Sequence, residues 1–157
     1  MKTPLAAVGT GLLAGAAGTV AMTAYQEAVA RTRESEGSNV PAQVAERLIS
    51  ALLRKQVPER YEGLLNNAMH WGYGTSRGAA YALLRESSSR RSPPTSGLLF
   101  GLGVWGASLV HLPAMKLAPP VWEQPPDEVA LDASYHLVYG LAVALGYATI
   151  DRFARSA

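Results

Sequence analysis

Apolar stretches free of formal charge alternate along this chain with short charged ones, and their lengths decide how it should fold. Residues 3–26 and 92–110 contain no charged side chain, and residues 133–150 contain a histidine and no formal charge. Each is about long enough to cross the roughly 30 Å hydrocarbon layer of a bilayer as a helix. Residues 64–84 form a fourth apolar stretch, interrupted by Arg77. Residues 41–55 pattern differently: Val44, Leu48, Ile49, Leu52 and Leu53 recur at helical spacing while Glu46, Arg47, Arg54 and Lys55 fill the other positions. That spacing predicts an amphipathic helix starting at Pro41, with Ser38 or Asn39 as its cap, on the membrane surface or over the span ends.

The pattern repeats. His70-Trp71-Gly72-Tyr73-Gly74 recurs as His136-Leu137-Val138-Tyr139-Gly140, with Tyr81 and Tyr147 following each histidine at the same distance. Gly11-Leu12-Leu13-Ala14-Gly15 upstream of the first copy is matched by Gly97-Leu98-Leu99-Phe100-Gly101 upstream of the second. The expected architecture is therefore all-α: a single membrane domain over residues 1–157, built as a four-helix bundle from two duplicated hairpins. One hairpin spans residues 5–86, with the amphipathic insert at 38–60, and the other spans 95–152. The Gly11/Gly15 and Gly97/Gly101 pairs have the small-xxx-small spacing that lets membrane helices approach closely, and Gly74 and Gly140 flank the facing helices. The third connection, residues 113–131, carries five prolines and should be extended.

Composition narrows the chemistry more than the fold. The chain of 157 residues has no cysteine, which removes disulfides, thiol nucleophiles and Cys-ligated metals. Its mean hydropathy of +0.06 is low for a membrane protein, but the average misleads because the charges are segregated into the connections. The Arg90-Arg91 pair is too short for nucleic-acid binding and reads as a topological anchor. Lys2, Arg85, Arg90, Arg91, Arg152 and Arg155 gather at one side, which favours both termini in the cytoplasm, although Arg31, Arg33, Arg47, Arg54, Lys55 and Arg60 oppose a clean count. Residues 3–26 exceed a signal peptide's apolar core, so they read as a retained span.

In that topology every histidine falls at the face opposite the termini. Glu27 closes the first span, His70 opens the second, His111 closes the third, and Asp132 and His136 open the fourth. His70, Tyr73, Arg77 and Tyr81 share one face of the second span, as His136, Tyr139 and Tyr147 do on the fourth. Ionisable groups inside a membrane commonly face the bundle interior and mark function. One reading is a metal site using His70, His111 and His136 with Glu27 or Asp132. Another is a proton or ion path using the same groups with Tyr73 and Tyr139. The plainer reading is hydrogen bonding between helices, and the histidines lack tight ligand spacing such as HExxH. No resident cofactor is predicted beyond that candidate metal ion.

The glycine- and alanine-rich first span, the Met69-His70-Trp71-Gly72-Tyr73-Gly74 segment and the later Leu131-Asp132 to Tyr139-Gly140 segment together resemble small bacterial inner-membrane proteins of the YagU-like type. The resemblance implies a multi-span inner-membrane protein without established biochemical activity and with a connection to acid tolerance, and it carries over no catalytic residue. The expected function is non-enzymatic: a bundle in the lipid bilayer that assembles with itself or with a membrane partner through its glycine faces. The alternative is a pseudo-symmetric transporter or proton-responsive protein that uses the polar cluster at its extracytoplasmic end.

Overall fold

The computed structural model describes residues 3–33, 39–54, 57–87 and 92–156, the last stretch without the side chain of Arg155. Lys2, Glu34, Glu36, Ser38, Lys55, Arg90 and Arg91 lie outside the described residues. Five α-helices follow one another: α1 (Pro4–Arg33), α2 (Val40–Leu53), α3 (Glu62–Ser87), α4 (Pro93–Ala114) and α5 (Pro126–Ser156). Three of them, α1, α4 and α5, are long and apolar enough to cross a membrane. Helix α3 has the length but carries Asn66, Asn67 and Arg77 among its apolar residues.

Proline places two of the helix starts. Helix α4 begins with Pro93 and Pro94 behind Ser92, whose hydroxyl accepts the Thr95 N–H at 3.4 Å. Helix α5 begins at Pro126 with Asp127 and Glu128 in its first turn, where carboxylates complement the exposed N–H groups. The expectation of an extended segment over residues 113–131 is thus corrected at both ends. Helix α4 continues through Pro113 to Ala114, Lys116 then turns the chain with φ 56°, and α5 starts where the proline run ends. A proline at a first helical position gives up an N–H that would have no partner there anyway.

Helix α2 lies against α3 and buries Ala42 and Ala45, while Leu48, Leu52 and Leu53 stay exposed. Asn39 makes no side-chain cap bond to the helix; the Ala42 N–H donates instead to Asn66 Oδ1 of α3 at 3.1 Å. The cap is therefore supplied across the interface.

Helices α1, α3, α4 and α5 pack in the order α3, α1, α5, α4. Glycine makes the two outer seams. A Cβ at Gly11 would lie 2.5 Å from Gly78 O, and one at Gly15 would lie 2.6 Å from Thr75 O. A Cβ at Gly97 would lie 2.6 Å from Gly140 O, and Gly101 meets the His136 backbone. Gly74 faces the Thr19 side chain, while Gly140 faces Gly97 and Gly101. These contacts bring backbone onto backbone and pair each two helices antiparallel. The register differs from the sequence match: Gly15, rather than Gly11, lies against Gly74 as Gly97 lies against Gly140. The central seam joins α1 to α5, where Gly18 receives Val143 and Tyr139. Gly11, Gly15, Gly74, Gly97, Gly101 and Gly140 are thus all spent within the chain rather than presented to a second one.

Candidate functional site

The fourth pairing that would close a ring, α3 against α4, is the weak one. Near the terminal end it is bridged by Tyr81, whose hydroxyl lies 2.8 Å from Ser96 Oγ and whose ring meets Phe100 edge-on at 5.1 Å. Tyr147 joins that cluster at 5.8 Å from Tyr81, and its hydroxyl donates to Glu86 Oε1 at 2.9 Å. Toward the opposite end α3 and α4 diverge and a cleft of about 1270 Å³ opens between the helices, with Val40, Pro41 and Val44 of α2 at its margin. Side-chain bulk accounts for the difference between the seams. On α1 a glycine, Gly18, admits Val143, whereas α4 presents Phe100 to the Tyr81 ring and to Tyr139, 6.3 Å away.

The cleft floor is Tyr139, buried to 3 % exposure, with its hydroxyl donating to Gly74 O at 2.6 Å. Such a bond reaches across from α5 to α3 and ties the two hairpins together beneath the opening. Above it His70 Nε2 lies 2.9 Å from Thr23 Oγ1. On the opposite wall the Trp105 Nε1–H donates to Asp132 Oδ2 at 3.0 Å, and His136 Nδ1 lies 2.9 Å from Asp132 O and 3.6 Å from Asp132 Oδ1. His111 Nδ1 is turned to its own helix, 2.7 Å from Ala107 O. Tyr25 and Tyr135 meet edge-on at 5.3 Å between α1 and α5, with Ser134 Oγ 3.3 Å from Tyr25 OH.

Of the residues singled out in the sequence, Glu27, His70, Tyr73, His111, Asp132, His136 and Tyr139 all line this one cleft. Arg77 does not; its guanidinium stacks over the Tyr73 ring at 4.4 Å on an exposed face of α3. Glu27 is exposed and pairs with Arg31 at 3.6 Å on the same helix. Among the described residues no three or more His, Asp and Glu side chains come together as a metal-binding group. Sharing a cleft is thus not the same as converging on one point. Thr23 and Trp105 stand outside that set; their partners lie on another helix, so no local spacing announces them.

Fold and cleft together define an all-helical protein with helices apolar enough to span a membrane and an opening of mixed apolar and polar lining at the end away from its termini. The chain matches the family described as protein of unknown function (DUF1440) over residues 17–145, and it belongs to that family. No curated protein and no solved structure matches it.

Proposed function

We propose that this is a multi-pass protein of the bacterial inner membrane, of carrier rather than enzyme type, which admits a small solute into the cleft. In this reading α1, α3, α4 and α5 all cross the bilayer, both termini are cytoplasmic, and the cleft opens to the extracytoplasmic side. The likeness to YagU-like proteins belongs to the same reading.

The observation that carries it is how the lining recurs. Met22, Gln26 and Ala30 of α1 line the cleft, as do Val104, Ser108 and Leu112 at one constant spacing later in the chain. Met69, His70 and Tyr73 of α3 are matched by Tyr135, His136 and Tyr139 of α5 at another. A duplicated hairpin with parallel repeats places its pseudo-axis along the membrane normal, with the site between the repeats. The shared lining is what such an axis would produce. The groups present are phenols, imidazoles, amides, hydroxyls and carboxylates, suited to holding and releasing a solute; among the described residues no nucleophile has both a base and a group orienting that base. Assembly through the glycine faces is the weaker reading, because those glycines already pack against one another.

Because the chain lacks cysteine, an introduced thiol is its sole label. Ser108→Cys on the cleft wall should react with a membrane-impermeant maleimide from the extracytoplasmic side, and Ser156→Cys near the end of α5 only in inverted vesicles. Labelling of the first from neither side, or from the cytoplasmic side alone, overturns the reading.

A further inference from the structure

Among the described residues, charge accounting around the cleft leaves one carboxylate with a histidine but no lysine or arginine beside it. Glu27 is paired with Arg31 at 3.6 Å, and Arg33 reaches from α1 to Glu128 of α5 at 2.7 Å. Those four charges cancel at the rim. Asp132 stands on the cleft wall with its side chain 47 % exposed and has no lysine or arginine within ion-pair distance among the described residues. Its neighbours are the Trp105 N–H and the His136 imidazole, whose Nδ1 is closer to the backbone carbonyl of Asp132 than to its carboxylate.

The surroundings of Asp132 suit an organic cation. Tyr135 stands one turn along α5 from Asp132 and lines the same space with Tyr73, one face of which is taken by Arg77, and aromatic faces attract cations. Met22, Val104, Leu112 and Leu131 supply apolar wall for a hydrocarbon body. The poorly joined α3–α4 side lies between helices long enough to sit in the bilayer, so an amphipathic molecule has a lateral way in as well as one from the aqueous mouth. A metal cation would need several donors at one point, and among the described residues no three His, Asp or Glu side chains converge there.

We infer that the cleft binds a monovalent organic cation with an apolar body, Asp132 supplying the counter-charge and the tyrosines the walls. The inference rests on the cleft being a solute site. Its test uses two probes of closely similar size and shape and opposite charge, tetraphenylphosphonium and tetraphenylborate, in equilibrium dialysis against the full chain in non-ionic detergent. Tetraphenylphosphonium should bind saturably to the wild type, at least about tenfold more weakly to Asp132→Asn, and comparably to Asp132→Glu. The asparagine oxygen can still accept from Trp105, and circular dichroism checks that the variant is folded. Tetraphenylborate should not saturate. Equal saturable binding of both ions, or phosphonium binding unchanged in a folded Asp132→Asn, overturns the inference; should that variant not fold, the two-probe comparison on the wild type decides. If neither probe binds while Ser108→Cys is labelled from outside, the cation assignment falls and the cleft reading stands. If Ser108→Cys is also unreactive, both fall.

Discussion

Adding one methyl group at Gly15 should weaken the fold far more than adding one at Gly9, six residues earlier on the same helix. An alanine Cβ at Gly15 would lie 2.6 Å from Thr75 O, 2.8 Å from Gly74 O and 3.0 Å from Gly78 Cα, all backbone atoms that cannot rotate out of the way. Ordinary carbon contacts settle at about 3.5–4.0 Å, so α1 and α3 must separate by roughly 0.5–1 Å, a gap that forfeits a quarter to a half of each contact along the seam. Overpacking of this kind costs about 1–3 kcal/mol, or roughly 5–150-fold in the folded-to-unfolded ratio. At Gly9 a Cβ meets nothing within 4 Å, and the same holds at Gly103 on α4. Alanine there should be neutral, since its helix propensity exceeds that of glycine. The assay is loss of helical ellipticity as dodecyl sulfate is titrated into protein in mild detergent, comparing Gly15→Ala and Gly97→Ala with Gly9→Ala and Gly103→Ala. Equal midpoints for all four variants would show that the seams are not backbone contacts, and the packing order built on them would be wrong.

Two further outcomes follow from single side chains. Asn66→Ala removes the acceptor for the Ala42 N–H, so α2 should lose about 1 kcal/mol of local stability and exchange its amide hydrogens faster, while protection of α1 and α5 is unchanged; uniform loss of protection would mean that α2 is integral to the helix packing. Elemental analysis of the detergent-purified protein should find no stoichiometric metal, because His70, His111 and His136 each turn to a different neighbour; metal present in the wild type and lost in a His70→Ala/His136→Ala double variant would refute that geometry.

The uncharged runs made α1, α4 and α5 legible as helices, because length and absence of charge are properties a sequence displays directly. Helix α2 was legible for a different reason: the periodicity around Val44 and Leu48 survives whatever it packs on, though its buried face proved to be Ala42 and Ala45. The start of α5 was not legible. Pro125 and Pro126 belong to a run of prolines that predicts an extended chain, yet a proline at the first helical position favours a helix. The candidate site was readable as a set of residues at one end and unreadable as geometry. Asp132 holding the indole of Trp105, and Thr23 meeting His70, are choices among rotamers and interhelical registers that no pattern within one helix encodes. The glycine register slipped for a similar reason, since a small-xxx-small match leaves open which turn of the partner it meets.

The unequal seams also have a mechanical meaning. Four rods joined on every side resist shear, whereas rods joined on three sides form a linkage with one soft degree of freedom. Here the fastened joints run from α3 through α1 and α5 to α4, and the loose one lies between α3 and α4. Swinging the α4–α5 arm about the α1–α5 line parts neither glycine joint, but it draws the Tyr139 hydroxyl off Gly74 O, so that hydrogen bond is the catch on the motion. At the terminal end the Tyr81 ring on Phe100 and its hydroxyl on Ser96 hold α3 to α4, so the unfastened length of that side is the mouth of the cleft.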